Sequence, residues 1–401
     1  MAKRKIQKPT RFERMYKVWD YLRKNTDRRH PTSIAKMRKD ENINAYIGDK
    51  ETINRLLKDM ANIMNLEDGG SDYKPEAEWR LYFDDFKKFY GDKERYERDD
   101  SDEDDSYIAN VMRIKNLYYN RTFSEKEVDS IIEGIMATRT LDSKSAQELV
   151  RKVEDNMTTV FYKRTPRHIC KVQEPELADR ELLKDNLAII QKAIDDNVRI
   201  QFRFNGYSYE KKLEPVREES DELSPYYIVA SGGKYYLLAA KEYEGYKPNM
   251  SIWRIDLMTD IEIPGRNDRL HIKGIPRIPK KNVSNLPEKW SEDFQLKHLN
   301  MSFDKPVPVT LRIKSEKCED NPKKRVRPGY TFLHDWFGDS FTYIRTEKEP
   351  PYDDIVRVEC SPYGMAHWAL QYSELVEILE PESLREDIKS KIKALNEKYS
   401  L

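Results

Sequence analysis

Apolar residues recur at helical intervals near the start of the chain. Phe12, Met15, Val18, Trp19 and Leu22 fall three, three, one and three residues apart, which predicts an amphipathic helix. Pro31-Thr32-Ser33 can open a second helix through Ile34, Ala35 and Met37. Gly48-Asp49 precedes a third, whose apolar positions are Ile53, Leu56, Leu57, Met60 and Ile63 and whose N-cap is Asp49. The opposite face of that third helix presents Lys50, Thr52, Asn54, Arg55 and Lys58, side chains that reach phosphates and base edges.

After Gly69-Gly70 the pattern shortens. Trp79 to Phe83 and Asn116 to Tyr119 read as strands flanking a long polar insertion, a wing or hairpin. Ser124 with Glu127 forms a capping box ahead of Val128, Ile131, Ile132 and Ile135, and a further helix spans about Ser143 to Val153. Both are expected to be core or dimer-forming helices. A linker containing Pro166 and Pro175 precedes one more amphipathic helix, Arg180 to Asn197.

Alternation then replaces helical spacing. Arg199 to Phe204, Lys211 to Arg217, Tyr226 to Ala230, Lys234 to Ala240 and Met250 to Met258 predict five short strands, hence a small bent sheet or barrel. Pro264 to Leu299 is irregular. Val307 to Lys314, Tyr330 to Phe332, Ser340 to Thr346 and Asp354 to Cys360 read as strands, and Gly364 to Ser373 and Pro381 to Tyr399 as helices.

Composition narrows the class. The 401 residues carry 72 Lys plus Arg against 72 Asp plus Glu, only 38% are apolar, and mean hydropathy is −0.89. No run approaches the roughly 20 apolar residues a membrane span needs, so a soluble, cytoplasmic protein with no membrane partner is expected. Cys170, Cys318 and Cys360 are too scattered for a disulfide scaffold, and the six histidines show no zinc spacing, so no metal or cofactor is expected. The neutral total hides asymmetry. Residues 1–66 hold 17 basic against 8 acidic residues, whereas 84–105 hold 11 acids against 5 bases. A basic N-terminal module suits phosphate neutralisation. Asp100, Asp102 and Asp104 imitate a calcium loop, but Asp105 and Val111 occupy the places of its glycine and terminal acid. The common nucleotide-binding, hydrolase and zinc-protease motifs are absent, and no enzymatic activity is expected.

Three blocks add a resemblance. Ser224 to Val229, Gly233 to Leu238 and Trp253 to Asp256 resemble a WYL domain, with Tyr235-Tyr236-Leu237 at the place of its Trp-Tyr-Leu triplet. Gly364 to Tyr372 followed by Val376 to Arg385 resembles the WYL C-terminal extension, and Asp49 to Asp59 resembles the recognition helix of the winged helix-turn-helix these regulators carry. The resemblance implies an α+β multidomain chain. It comprises a winged helix-turn-helix with a long acidic wing (1–123), a helical linker or dimerisation region (124–180), a small SH3- or Sm-like WYL β-barrel (181–270) and an α+β extension domain (300–401). It further implies a homodimeric bacterial transcription regulator that binds an operator in double-stranded DNA and senses a nucleotide or single-stranded nucleic acid, with links to phage defence or DNA damage. Two departures limit what carries over: the family's Phe-Arg-Leu-Asp-Arg string is Trp253 to Leu257 here, without the second arginine, and a histidine of some members is Tyr236.

The DNA-contact candidates are Lys50, Thr52, Asn54, Arg55 and Lys58. The ligand candidates are Arg203, Tyr226, Tyr227, Lys234, Tyr236 and Arg254, because bases that grip phosphate and rings that stack are how single strands are held. Tyr226 and Tyr227, being adjacent on a strand, are expected on opposite faces. Arg254, set between Trp253 and Ile255, needs an anion or the carboxylate of Asp256. The cluster Lys323, Lys324, Arg325 and Arg327 reads as a phosphate contact or a plain exposed loop. A second reading of the whole is an accessory protein that binds single-stranded RNA or DNA and modulates a CRISPR or other nuclease effector.

Overall fold

A computed structural model describes residues 9–67, 72–86, 113–138, 141–164, 180–291, 293–314, 317–318, 321–325 and 329–399. The acidic run from Asp99 to Asp105, Cys170 and Arg327 lie outside them, as do Pro166 and Pro175. The chain is α+β with several antiparallel sheets and divides into two compact units, residues 1–175 and 176–401.

In the first unit, α1 (Arg11–Asn25) starts at a capping box in which Thr10 and Glu13 satisfy each other's backbone N–H groups. Two single-turn helices, α2 (Ile34–Met37) and α3 (Asn44–Ile47), lead to α4 (Lys50–Asn65), capped by Asp49. Val18, Leu22, Met37, Ile47, Ile53, Leu57 and Met60 form one core with Trp79, Leu81, Phe83 and Leu117. These last residues come from the short antiparallel ladder of β1 (Leu81–Tyr82) and β2 (Tyr118–Tyr119) and its flanks. Asn65 ties the ladder to α4, donating to the Leu81 carbonyl and accepting from the N–H groups of Arg80 and Leu81. Two residues of the expected apolar stripes do not join this core: Phe12 is 71% and Ile63 69% exposed. Phe12 sits in the first turn of α1, and Ile63 lies on the side of α4 turned away from Asn65 and the ladder. α5 (Glu125–Ala137) and α6 (Ser143–Met157) pair through Val128, Ile132, Val150 and Val153.

The second unit opens with α7 (Arg180–Asp196). A curled half-barrel follows: β3 (Ile200–Tyr207), β4 (Leu213–Pro215), β5 (Asp221–Ser231), β6 (Lys234–Tyr243), β7 (Tyr246–Arg254) and β8 (Met258–Glu262). Their order is β4-β3-β5-β6-β7, with β8 also paired to β3. Leu183 and Ile190 of α7 pack on the inner face formed by Ile200, Phe202, Leu223, Leu237 and Met258. The expected continuous strand from Met250 to Met258 is instead broken by a 3-10 turn at Ile255–Leu257. Asn186 holds that turn, its side-chain amide donating to the carbonyls of Ile255 and Met258.

Residues 276–304 cross the outer face of β5–β7 and contain α8 (Phe294–Lys297). Beyond them, β9 (Val307–Ile313), β10 (Lys317–Cys318), β11 (Asn321–Arg325), α9 (Thr331–Phe337), β12 (Thr342–Thr346), β13 (Asp354–Cys360), α10 (Pro362–Gln371), β14 (Val376–Glu380) and α11 (Glu382–Tyr399) complete the chain. The sheet order β12-β13-β9-β14 buries Val309, Leu311, Val356 and Ile378 against Leu333, Phe337 and Trp368. Tyr330 to Phe332 is not a strand. Leu333 and Phe337, four residues apart, bury one helical face, and that spacing overrides the β-propensity of the preceding residues.

Candidate nucleic-acid and ligand surfaces

The third helix of the first unit, α4, is placed by Asp49, whose carboxylate accepts from the Thr52 N–H and hydroxyl, both at 2.8 Å. The Thr52 backbone N–H is the main cause holding the Asp49 carboxyl below its ordinary range. Of the five polar residues assigned to one face, Lys50, Thr52 and Arg55 are exposed. Asn54 and Lys58 are buried, at 0% and 4% exposure, which corrects the single-face reading. The reason is angular. At 100° per residue the buried set, Ile53, Asn54, Leu56, Leu57, Lys58, Met60, Ala61 and Asn65, spans about 200° of the helix, because α4 is packed from both sides. The remaining arc carries Glu51, Thr52, Arg55, Asp59 and Ile63. Arg55 donates to Glu51 at 2.8 Å and Arg11 pairs with Asp59, so this arc is nearly charge-balanced.

The outer face of the half-barrel gathers most of the other candidates. Val229, Tyr236 and Arg254 are directly opposed across β5, β6 and β7, and Lys234 lies two residues before Tyr236 on the same side. A register shift between Pro225 and Tyr227 overturns the expected opposition of the two tyrosines. The bulge inserts an extra residue, so both rings turn toward residues 278–288. Tyr226 is 2% exposed and its hydroxyl donates to the Ile278 carbonyl at 2.7 Å, with the Arg277 guanidinium 5.0 Å from its ring centre. Burial pushes the Tyr226 hydroxyl pKa up and the Arg277 pKa down. The Tyr227 hydroxyl shares its proton between the Pro287 and Glu288 carbonyls at 3.0 and 3.1 Å and accepts from the Lys280 ammonium at 2.9 Å. Tyr226 is therefore a packing residue, and Tyr227 a half-buried bracket for the crossing segment.

Arg254 finds its anion within the chain. Nε and Nη2 donate to the two oxygens of Asp256 at 3.1 and 2.5 Å, and that carboxylate is 2% exposed. Burial pulls the guanidinium pKa down, but the hydrogen bonds and charge of Asp256 outweigh it and leave it above its ordinary value. Nη1 is the group left for an outside anion. Arg203 is not on this row. It sits on β3 opposite Thr259 of β8, with Asp260 at 3.7 Å.

The sequence reading passed over Lys280 and Trp290. The ammonium of Lys280 lies 4.1 Å from the centre of the Tyr227 ring, and Trp290, 43% exposed, sits 5.9 Å from Tyr227 and 5.4 Å from Phe294. The signal was a tryptophan beside lysine in a proline-bearing segment with no strand or helix period to absorb it. Among the described residues no group of three His, Cys, Asp or Glu side chains could hold a metal ion, and no helix is long and apolar enough to cross a membrane. Lys324 is exposed, while nothing is described for the side chains of Lys323 and Arg325.

With β9 to α11 thus arranged, comparison with known families is decisive for the C-terminal part. Residues 305–395 match the WCX domain. The match bears out the resemblance to the WYL C-terminal extension read from Gly364 to Arg385. Among solved structures, the chain is similar to proteasome accessory factor B/C (PafBC) of Arthrobacter aurescens at 16% identity. That alignment covers 72% of this chain and 40% of the other, with a TM-score of 0.22. It is also similar to a CRISPR Cas-related protein at 13% identity, covering 77% and 76% of the two chains, with a TM-score of 0.30. The chain therefore spans about two fifths of the PafBC chain, and overlap this loose carries no structural argument. No curated protein matches the chain.

Proposed function

We propose that this protein is a ligand-responsive bacterial DNA-binding transcription regulator of the WYL type, homodimeric and without enzymatic activity. The observation that carries the reading is the WCX match over 305–395 downstream of a curled half-barrel. In this reading residues 1–123 act as a winged helix-turn-helix that presents Thr52 and Arg55 on the exposed arc of α4, with Lys50 at its N-terminus, to the major groove of an operator half-site. The half-barrel, read as an Sm-like fold, takes a nucleotide or single-stranded nucleic acid through Lys234, Tyr236, Tyr227 and the free edge of Arg254. A cytoplasmic role in phage defence or DNA-damage response fits this pairing of DNA reader and nucleic-acid sensor. The ligand acts only if it favours one dimer geometry over the other, since equal affinity for both shifts nothing.

The test is fluorescence anisotropy of the full chain with the duplex upstream of its own gene, a scrambled duplex and a short single strand, at several salt concentrations. Salt-sensitive preference for the native duplex by roughly ten-fold or more supports the regulator. Equal weak binding to both duplexes, with tighter binding to the single strand, rejects it. The balanced charge of the exposed α4 arc favours one second reading, an accessory protein that binds single-stranded RNA or DNA and modulates a nuclease effector.

A further inference from the structure

Residues 277–290 hold Arg277, Lys280, Lys281 and Lys289 against the single acid Glu288, and they end in Trp290. This segment is fastened to the barrel rather than loose. Ser224 accepts from the Ile278 N–H, Arg277 donates to the Pro225 carbonyl at 2.7 Å, and Met250 donates to the Ser284 carbonyl at 2.9 Å. Tyr227 fixes its far end through the Pro287 and Glu288 carbonyls. So fastened, the segment holds Trp290 against Tyr227 and Phe294 while 43% of the residue stays exposed. On the order of 100 Å² of a large apolar side chain remains wet on a rigid mount. Lys280, 4.1 Å from the centre of the Tyr227 ring that lies 5.9 Å from Trp290, has its ammonium within about 10 Å of the indole. Lys281 and Lys289 are exposed on the same segment.

A flat ring held by two others, with ammonium groups within reach, is the chemistry of a base-stacking site with adjoining phosphate contacts. We infer that Trp290 is the stacking platform for a base of single-stranded nucleic acid, with Lys280, Lys281 and Lys289 receiving the neighbouring phosphates. The inference rests on the sensing role proposed above. It moves the stacking surface from the strand tyrosines to the crossing segment: Tyr226 is buried and Tyr227 acts as the bracket that orients Trp290.

The experiment is anisotropy of a fluorescein-labelled 15-nucleotide thymidine single strand with the full chain, as wild type, Trp290→Ala, Trp290→Phe and Lys281→Gln/Lys289→Gln. The expected result is a loss of about ten-fold in affinity for Trp290→Ala, with most of it restored by Trp290→Phe because the ring is retained. The double lysine variant is expected to reduce the dependence of log affinity on log salt, as lost phosphate contacts require. Thermal melting of each variant separates loss of the site from loss of the fold. Wild-type binding that Trp290→Ala leaves unchanged, in a folded variant, overturns this inference while leaving a sensing barrel intact. A wild-type chain that binds no single strand overturns both.

Discussion

Whether Arg254 serves the fold or a ligand can be decided by a double-mutant cycle with Asp256. The pair is bidentate, with contacts of 3.1 and 2.5 Å, and its members are unequally buried: the Arg254 side chain is 30% exposed and the Asp256 side chain 1%. Removing the arginine strands a carboxylate that water cannot reach, a loss of about 3–5 kcal/mol for a fully buried pair, which partial solvation at the arginine end reduces to about 3. Removing the carboxylate instead leaves a guanidinium that can turn toward solvent, so Asp256→Ala is expected to cost only about 2 kcal/mol. The double variant loses the pair without stranding either charge. It should cost about 3 rather than 5 kcal/mol, giving a coupling of about 2. Urea unfolding of the full chain, followed through the transition of the half-barrel, measures all four corners. If Arg254→Ala costs under 1 kcal/mol with no coupling, the ion pair contributes nothing to the fold and the case for Arg254 as a committed strut fails. Its whole guanidinium would then be available to an incoming phosphate.

Other perturbations test neighbouring parts. A Cβ on Gly364 of α10 would lie 2.7 Å from the Leu299 carbonyl oxygen and from the Ser302 hydroxyl, and 2.8 Å from Ser361, whereas one on Gly134 of α5 would meet nothing within 4 Å. Gly364→Ala should therefore lower stability by about 1–3 kcal/mol and Gly134→Ala should raise it by up to about 1, as urea midpoints of the respective units would show. Equal effects at the two sites would refute the packing argument. His298 is buried, stacked 4.1 Å from Phe294, and joined through Nδ1 to the Ser302 carbonyl at 2.7 Å; burial is the main cause holding its pKa below 6.5. The unfolded chain then takes up the proton first, so stability is complete above about pH 6.5 and falls as pH drops below it. His298→Gln should flatten that fall between pH 7.5 and 5.5 in thermal melts, and an unchanged slope would rule the histidine out. Arg55→Ala should weaken duplex binding and reduce the salt slope by about one if Arg55 meets a phosphate, without altering affinity for a single strand. An unchanged slope removes Arg55 from the interface.

Helical period placed α1, α4, α5 and α6 correctly, because each carries an apolar stripe and its cap in the sequence. Alternation similarly found β3, β6, β9 and β13. What the period could not show was a helix packed on two sides: polar Asn54 and Lys58 look like solvent positions, yet both are buried on the side of α4 that Asn65 ties to Leu81. A bulge was equally invisible, since one inserted residue at Tyr226 reverses the alternation beyond it and no residue type announces it. These two failures bear directly on function, because they remove two residues from the duplex-contact set and one tyrosine from the stacking set. The replacement came from the segment that had no period at all. Residues 276–304 carry no long period because they are built of short turns and α8, with single backbone bonds outward from the N–H groups of Arg277, Ile278 and Ser284 to Asn197, Ser224 and Pro248. They meet β5 and β7 at one end and, through Ser302 with Ser361 and the Ser361 N–H with the Lys297 carbonyl, the start of α10 at the other. Trp290 thus lies on a segment bonded to β5 and β7 before it and to the start of α10 after it. A ligand stacked on Trp290, as proposed above, would bear on a chain segment bonded to Ser361 within residues 305–395, whereas one confined to the strands would have only the sheet to act through.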